Sequence, residues 1–160
     1  MRMRFSIAVL GMVVAVGVGC GRGGGRLPAP LAPVLSSARL YYDDGPAYTD
    51  SVRLVVRDVT TWQQVWSQAT STQGAPPPLP EVDFGREMVL VVGAGQMHPG
   101  DQIHVDSVGV RQDVYVAIVR TITACRQFPT PAYPLEIVRV ARSARQVTWS
   151  ERRDRAADCR

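Results

Sequence analysis

His98 and His104 are the two histidines of this 160-residue chain, with Asp101 between them and Asp106 just beyond. Imidazoles and carboxylates gathered in one short stretch are the donor types of a metal centre, and zinc is the ion they suit first. A zinc site, however, needs three or four ligands that converge at a recognisable spacing. Here His98 falls in a turn, Gln96-Met97-His98-Pro99-Gly100-Asp101, and His104 alternates outward from Ile103 and Val105 in a strand-like run. The pattern predicts one turn histidine and one strand histidine, both facing water, and no metal.

The other reactive groups lead to the same result. Cys125 could serve as a nucleophile only beside a general base, and no His with Asn or Asp stands in a supporting pattern. Gly93, Gly95 and Gly100 surround Met97-His98, but a phosphate-cradling loop must open a helix and a strand follows here. No Ser sits in a Gly-x-Ser-x-Gly elbow, and the carboxylates form no separated pair across a legible cleft. The expectation is a non-enzymatic protein without a cofactor.

Aromatic residues offer binding chemistry instead. Trp62, Val65, Trp66 and Ala69 recur at i, i+3, i+4 and i+7, which places them on one face of a helix. Thr60 or Thr61 can cap that helix, with Gln63 or Gln64 as the reciprocal partner. Its two indoles are large enough to plug the space between the helix and a sheet. Together with Tyr41 and Tyr42 they could instead form a platform for a glycan, peptide or other small ligand. With one helix and a sheet that needs cover, core packing is the preferred reading. The following segment, Thr70 to Pro80, is rich in proline; it reads as a stiff crossover, with a polyproline ridge for a partner as the alternative.

The N-terminus carries an address. Met1 to Arg4 is basic, and Phe5 to Val18 is apolar and uncharged, too short to span a bilayer easily and suited to the core of a signal peptide. Cys20 follows Val16-Gly17-Val18-Gly19, and this resembles a bacterial lipoprotein signal, in which the cysteine becomes the lipidated first residue. Residues 1–19 are expected to be removed. Gly21, where an Asp would favour retention at the inner membrane, points to a lipid-anchored protein of the cell envelope, at the outer membrane and facing the periplasm or the cell surface. Residues 20–37, rich in Gly, Pro and Ala, read as a tether, and residues 38–160 as one domain.

Charge excludes rather than identifies. All 18 basic residues are arginine, and loss of Arg2 and Arg4 with the signal leaves 16 against 14 acids. So small an excess gives no footprint for nucleic acid. With Cys20 set aside, Cys125 and Cys159 are the two remaining cysteines of an exported protein and are expected to pair as a disulfide. Closing that loop stabilises the fold by roughly 3 to 4 kcal/mol on loop entropy.

These residues must be carried by strands. Met88 to Val92 is an unbroken apolar run closed by Gly93 and Gly95, which predicts a central strand covered on both faces. Ser51 to Arg57 alternates as a half-buried strand does, and Tyr41-Tyr42 suits a first strand. Ile103 to Val110 changes parity, so a bulge is expected near Ser107. Through a turn at Arg111-Gln112-Asp113 it forms a hairpin with Val114 to Arg120. Leu135 to Val140 and Gln146 to Trp149 add two more strands, and Glu151 to Arg155 reads as a solvated tail. The predicted fold is α+β, one amphipathic helix on a mainly antiparallel sheet of about six strands.

In that order, Thr61-Trp62-Gln63-Gln64-Val65-Trp66, Val82-Asp83-Phe84 leading into Met88-Val89-Leu90, Gly95 with Pro99-Gly100, and Tyr133-Pro134-Leu135-Glu136-Ile137-Val138-Arg139-Val140 resemble the PrcB C-terminal domain family. The resemblance spans about Ser51 to Trp149. Its namesake is an exported lipoprotein that associates with a secreted serine protease and helps to stabilise it. The resemblance therefore implies a partner that is itself an exported protein, a protease in the namesake's case. A sheet edge or the Pro-rich loop is the expected contact.

Overall fold

The structure, a computed structural model, describes residues 34–126, 128–157 and 159. The expected signal segment, Cys20 and most of the expected tether lie outside those residues. Among them the chain forms β1 (Val34–Leu35), β2 (Ser37–Asp43), β3 (Ser51–Val56), α1 (Val59–Ala69), β4 (Glu87–Ala94), β5 (Gln102–Arg111), β6 (Val114–Thr123), β7 (Leu135–Ala141) and β8 (Val147–Arg155). The α+β class is as the sequence predicts. The strands, however, divide into two four-stranded sheets, ordered β1-β5-β6-β8 and β2-β7-β4-β3, with β6 and β8 the one parallel pair among them.

The apolar run explains the division. Met88, Leu90 and Val92 of β4 point to one side and Val89 and Val91 to the other, and all five are fully buried. A single helix covers only one side of a sheet, so the other needs a second layer. The β5–β6 hairpin and β8 supply it: Ile103, Val105, Val108, Tyr115 and Val119 close over Met88, Leu90 and Val92. On the opposite side Val89, Val91, Leu135 and Ile137 meet the helix. The order of layers is thus helix, sheet, sheet.

Asp58, rather than a threonine, starts the helix. Its carboxylate accepts from the Thr61 backbone N–H and hydroxyl, both at 2.8 Å, because the helix begins at Val59, earlier than its apolar face. These bonds hold the Asp58 carboxyl below its ordinary pKa. Trp62 and Trp66 are buried as the core reading requires. Their indole N–H groups donate to the carbonyls of Pro80 (3.0 Å) and Pro77 (3.1 Å). An extended proline-rich segment leaves its carbonyls free of backbone partners, so the crossover straps the helix by satisfying both indoles.

Both irregularities of the β5–β6 hairpin are where the sequence places them. The register shifts between Val105 and Ser107, with Asp106 the extra residue. The turn has Gln112 and Asp113 at φ 47° and 65°, the two left-handed residues of a tight hairpin. The tail departs from expectation: Glu151 to Arg155 is the second half of β8, paired with β6 from Val119 to Thr123. Parallel pairing with β6 gives a charged segment regular structure that its composition does not announce. Pairing also begins earlier than residue 38, since Val34 and Leu35 lie against Gly109 and Val108. Cys125 and Cys159 form the expected disulfide, with Cα atoms 5.0 Å apart.

Candidate functional site

Two places gather polar chemistry, one at each seam where the sheets meet. At the first, β1 and β2 are separated only by Ser36, so one stretch of chain passes from one sheet into the other. Glu136 of β7 is buried here at 2% exposure. One carboxylate oxygen accepts from Arg39 Nε at 2.6 Å, and the other from the Val105 backbone N–H at 2.6 Å. His104 Nδ1 stands 3.2 Å from Glu136 Oε1 and 3.3 Å from Arg39 Nη2, while its Nε2 stands 3.0 Å from Gln102 Oε1. Tyr42 stacks on the imidazole with ring centres 5.6 Å apart. Burial first, then Asp44 and Glu136, raise the Tyr42 phenol above its ordinary pKa.

Two bulges assemble this cluster. Arg39 and Tyr42 have opposite parity and would face opposite sides of a regular strand. The register shift between Arg39 and Tyr41 sets Arg39 opposite Val138 and Tyr42 opposite Glu136, so both join the same side. The bulge at Asp106 leaves the Val105 N–H turned to the edge of β5, where β1 is too short to pair with it. Glu136 thus caps an outward backbone N–H of β5 with a side chain from the other sheet. His104, predicted to face water, is instead 18% exposed at its side chain because this carboxylate and Tyr42 enclose it.

As chemistry, a carboxylate on Nδ1 of an imidazole is the orienting half of a triad. The other half would be a nucleophile at Nε2, and that nitrogen meets the Gln102 amide oxygen. His98 belongs elsewhere: its Nδ1 lies 3.0 Å from the Phe128 carbonyl. Asp101, 4% exposed, accepts from the backbone N–H groups of His98 (3.1 Å) and Ala124 (2.7 Å), pinning the turn to the end of β6. Asp106 is exposed and lies 2.9 Å from Arg120. The four residues weighed as metal ligands are therefore spread over separate contacts. Among the described residues no group of three or more His, Cys, Asp and Glu side chains could hold a metal ion. Nor is any described helix long and apolar enough to cross a membrane.

The aromatic platform is divided as well. Tyr41 packs edge-on against Trp66 at 5.3 Å on the helix side, and burial followed by the nearby Asp43 pushes its phenol up to about 12. Tyr42 lies on the other side of the same sheet, in the Glu136 cluster.

The second seam lies between β3 and β8, the outer strands of the two sheets at the end away from β1 and β2. A cleft of about 470 Å³ opens there, lined by Ser51, Arg53, Thr121, Thr123, Glu151 and Arg153 among others. Arg53 Nη1 donates to the carbonyls of Val52 and Gly93, each at 2.7 Å, which fixes the guanidinium. Its Nε and Nη2 meet the two oxygens of Glu151 at 2.9 and 3.2 Å. At the far end Arg57 donates to the carbonyls of Ser143 and Arg145, just before β8. The seam is a wedge, closed by Arg57 and open toward Ser51 and Arg153.

Sequence reasoning singled out His104 and Tyr42 of the first seam, but as a water-facing histidine and a platform residue, and did not bring them together with Glu136. A lone acid at Glu136 amid Leu135, Ile137 and Val138 was the available signal for the first; nothing local marks the second. Comparison with protein-family models, with curated proteins and with solved structures finds no match for this chain.

Proposed function

We propose that this chain is a non-enzymatic lipoprotein of the cell envelope whose domain binds and stabilises another exported protein. The observation that carries the reading is the pair of unpartnered strand edges, β3 and β8, on either side of an open polar cleft. Free edges are templates on which another chain can add a strand. The buried Glu136 carboxylate, by contrast, is occupied in holding the two sheets together. The lipoprotein-like signal ending at Cys20 supports the location, and the resemblance to the PrcB C-terminal domain supports a secreted protease as the class of partner. The test is recovery from native membranes: the lipid-anchored chain, gently extracted, should bring down one exported protein in stoichiometric amount. Repeated recovery of no specific protein overturns the reading.

A further inference from the structure

The reading above leaves open how a partner is recognised, and the β3–β8 cleft holds a receptor already built. A guanidinium is a planar fork that takes a carboxylate through two parallel hydrogen bonds. Arg53 is fixed in that role by two backbone carbonyls, so its orientation does not depend on the acid it holds. The acid it holds is Glu151, whose side chain is 48% exposed, against 20% for Arg53. An ion pair so open to water contributes little to the fold, and its acid is free to leave. Among the described residues the side chain of Arg153, two positions along the same strand, makes neither a hydrogen bond nor an ion pair. The cleft thus carries two arginines against one glutamate, and one further carboxylate would neutralise it.

Charge on an edge strand also discourages self-pairing. A bidentate fork braced from behind is a different device, because blocking an edge needs no orientation. The hydroxyls of Thr121 and Thr123 line the same space and can meet the peptide groups of an extended chain, while Ser51, whose hydroxyl donates to the Gly93 carbonyl, can accept from one. We infer that the β3–β8 cleft receives an extended, carboxylate-bearing segment of the partner polypeptide, which displaces Glu151 from Arg53 and lies along the free edge of β8. This inference rests on the proposed function for its partner. Glu151 is then an internal competitor, a stand-in that keeps the fork filled until the segment arrives.

The competitor makes the idea testable. The full chain, isotopically labelled in detergent at low salt, is titrated with a blocked Thr-Val-Glu-Val-Thr peptide and with its Gln counterpart. The Glu peptide should shift the amides of β3 and β8 and bind about tenfold tighter than the Gln peptide, as charge-assisted pairing implies. Glu151→Gln should tighten the Glu peptide several-fold, a gain that a merely structural ion pair would not give. Arg153→Gln, which changes an exposed side chain that has no side-chain partner, should weaken it several-fold while leaving the strand pairing intact, and Arg53→Lys should weaken it while retaining the charge. Equal binding of the two peptides, no binding, or no gain from Glu151→Gln overturns the cleft as a carboxylate receptor. Recovery from membranes separates the two readings. A partner recovered by the unmodified chain and lost with Arg153→Gln supports the cleft; a partner retained equally by both overturns it and leaves the proposed function standing. If the unmodified chain recovers nothing, the proposed function fails, and the peptide titration alone decides the cleft.

Discussion

Where β1 runs into β2, the sheets are joined by continuous backbone and by a buried carboxylate whose two oxygens serve both layers. Where β3 faces β8, they are joined by one ion pair half open to water and by Arg57 at the far end. The difference is solvent. At the first seam Glu136 must have its partners, because an acid out of water is costly unless its lone pairs are used. At the second, Glu151 is hydrated with or without Arg53. The first seam can only hold, while the second can exchange.

That contrast can be broken at several points. The largest effect is expected from replacing both Cys125 and Cys159 by Ser, which frees the segment after β8 and should cost roughly 3 to 4 kcal/mol on loop entropy, read by urea unfolding. A loss well below 1 kcal/mol would mean that the parallel pairing with β6 holds β8 unaided. Next comes Glu136→Leu at the closed seam. It strands the Val105 N–H and removes the acid from Arg39, and should cost about 2 to 4 kcal/mol. An unchanged urea midpoint would show that the cluster does not join the sheets.

Alkaline pH probes the layer between the sheets. The Tyr115 hydroxyl donates to the Ala141 carbonyl at 3.2 Å, and burial, partly opposed by the nearby Arg57, pushes its phenol up to about 12. A raised acid binds its proton more tightly folded than unfolded. Its contribution is therefore complete below about pH 10, the ordinary phenol value, and is lost as pH rises toward 12. Tyr41, raised to about 12 on the helix side, adds to the same loss. Tyr115→Phe should cost about 1 kcal/mol at neutral pH through the lost hydrogen bond and should shrink the fall between pH 10 and 12. An undiminished fall would assign it to other groups. The smallest effect belongs to the open seam: Glu151→Gln should change stability by no more than about 0.5 kcal/mol. A loss above 2 kcal/mol in the same unfolding assay would make the two seams alike and remove the physical basis for exchange.

Most of the fold's parts were legible in the residues. Trp62, Val65, Trp66 and Ala69 announce a helix face because helical spacing is a local property. Met88 to Val92 announces a strand covered on both sides, and the parity break between Val105 and Val108 announces a bulge. The Asp58 cap was passed over because two threonines one turn into the pattern offered the same chemistry. The tail hid in β8 because its pairing with β6 is long-range and its composition is that of a solvated segment.

By itself, then, the sequence determined which segments are strand or helix, which faces are apolar and which cysteines remain to pair, since periodicity and residue type act within a few neighbours. Tertiary structure alone decided that the strands split into two sheets, that Arg39, Tyr42, His104 and Glu136 converge, and that Arg53 meets Glu151 across 98 positions of chain. Those outcomes depend on register and on bulges, where a shift of one residue moves a side chain to the other face.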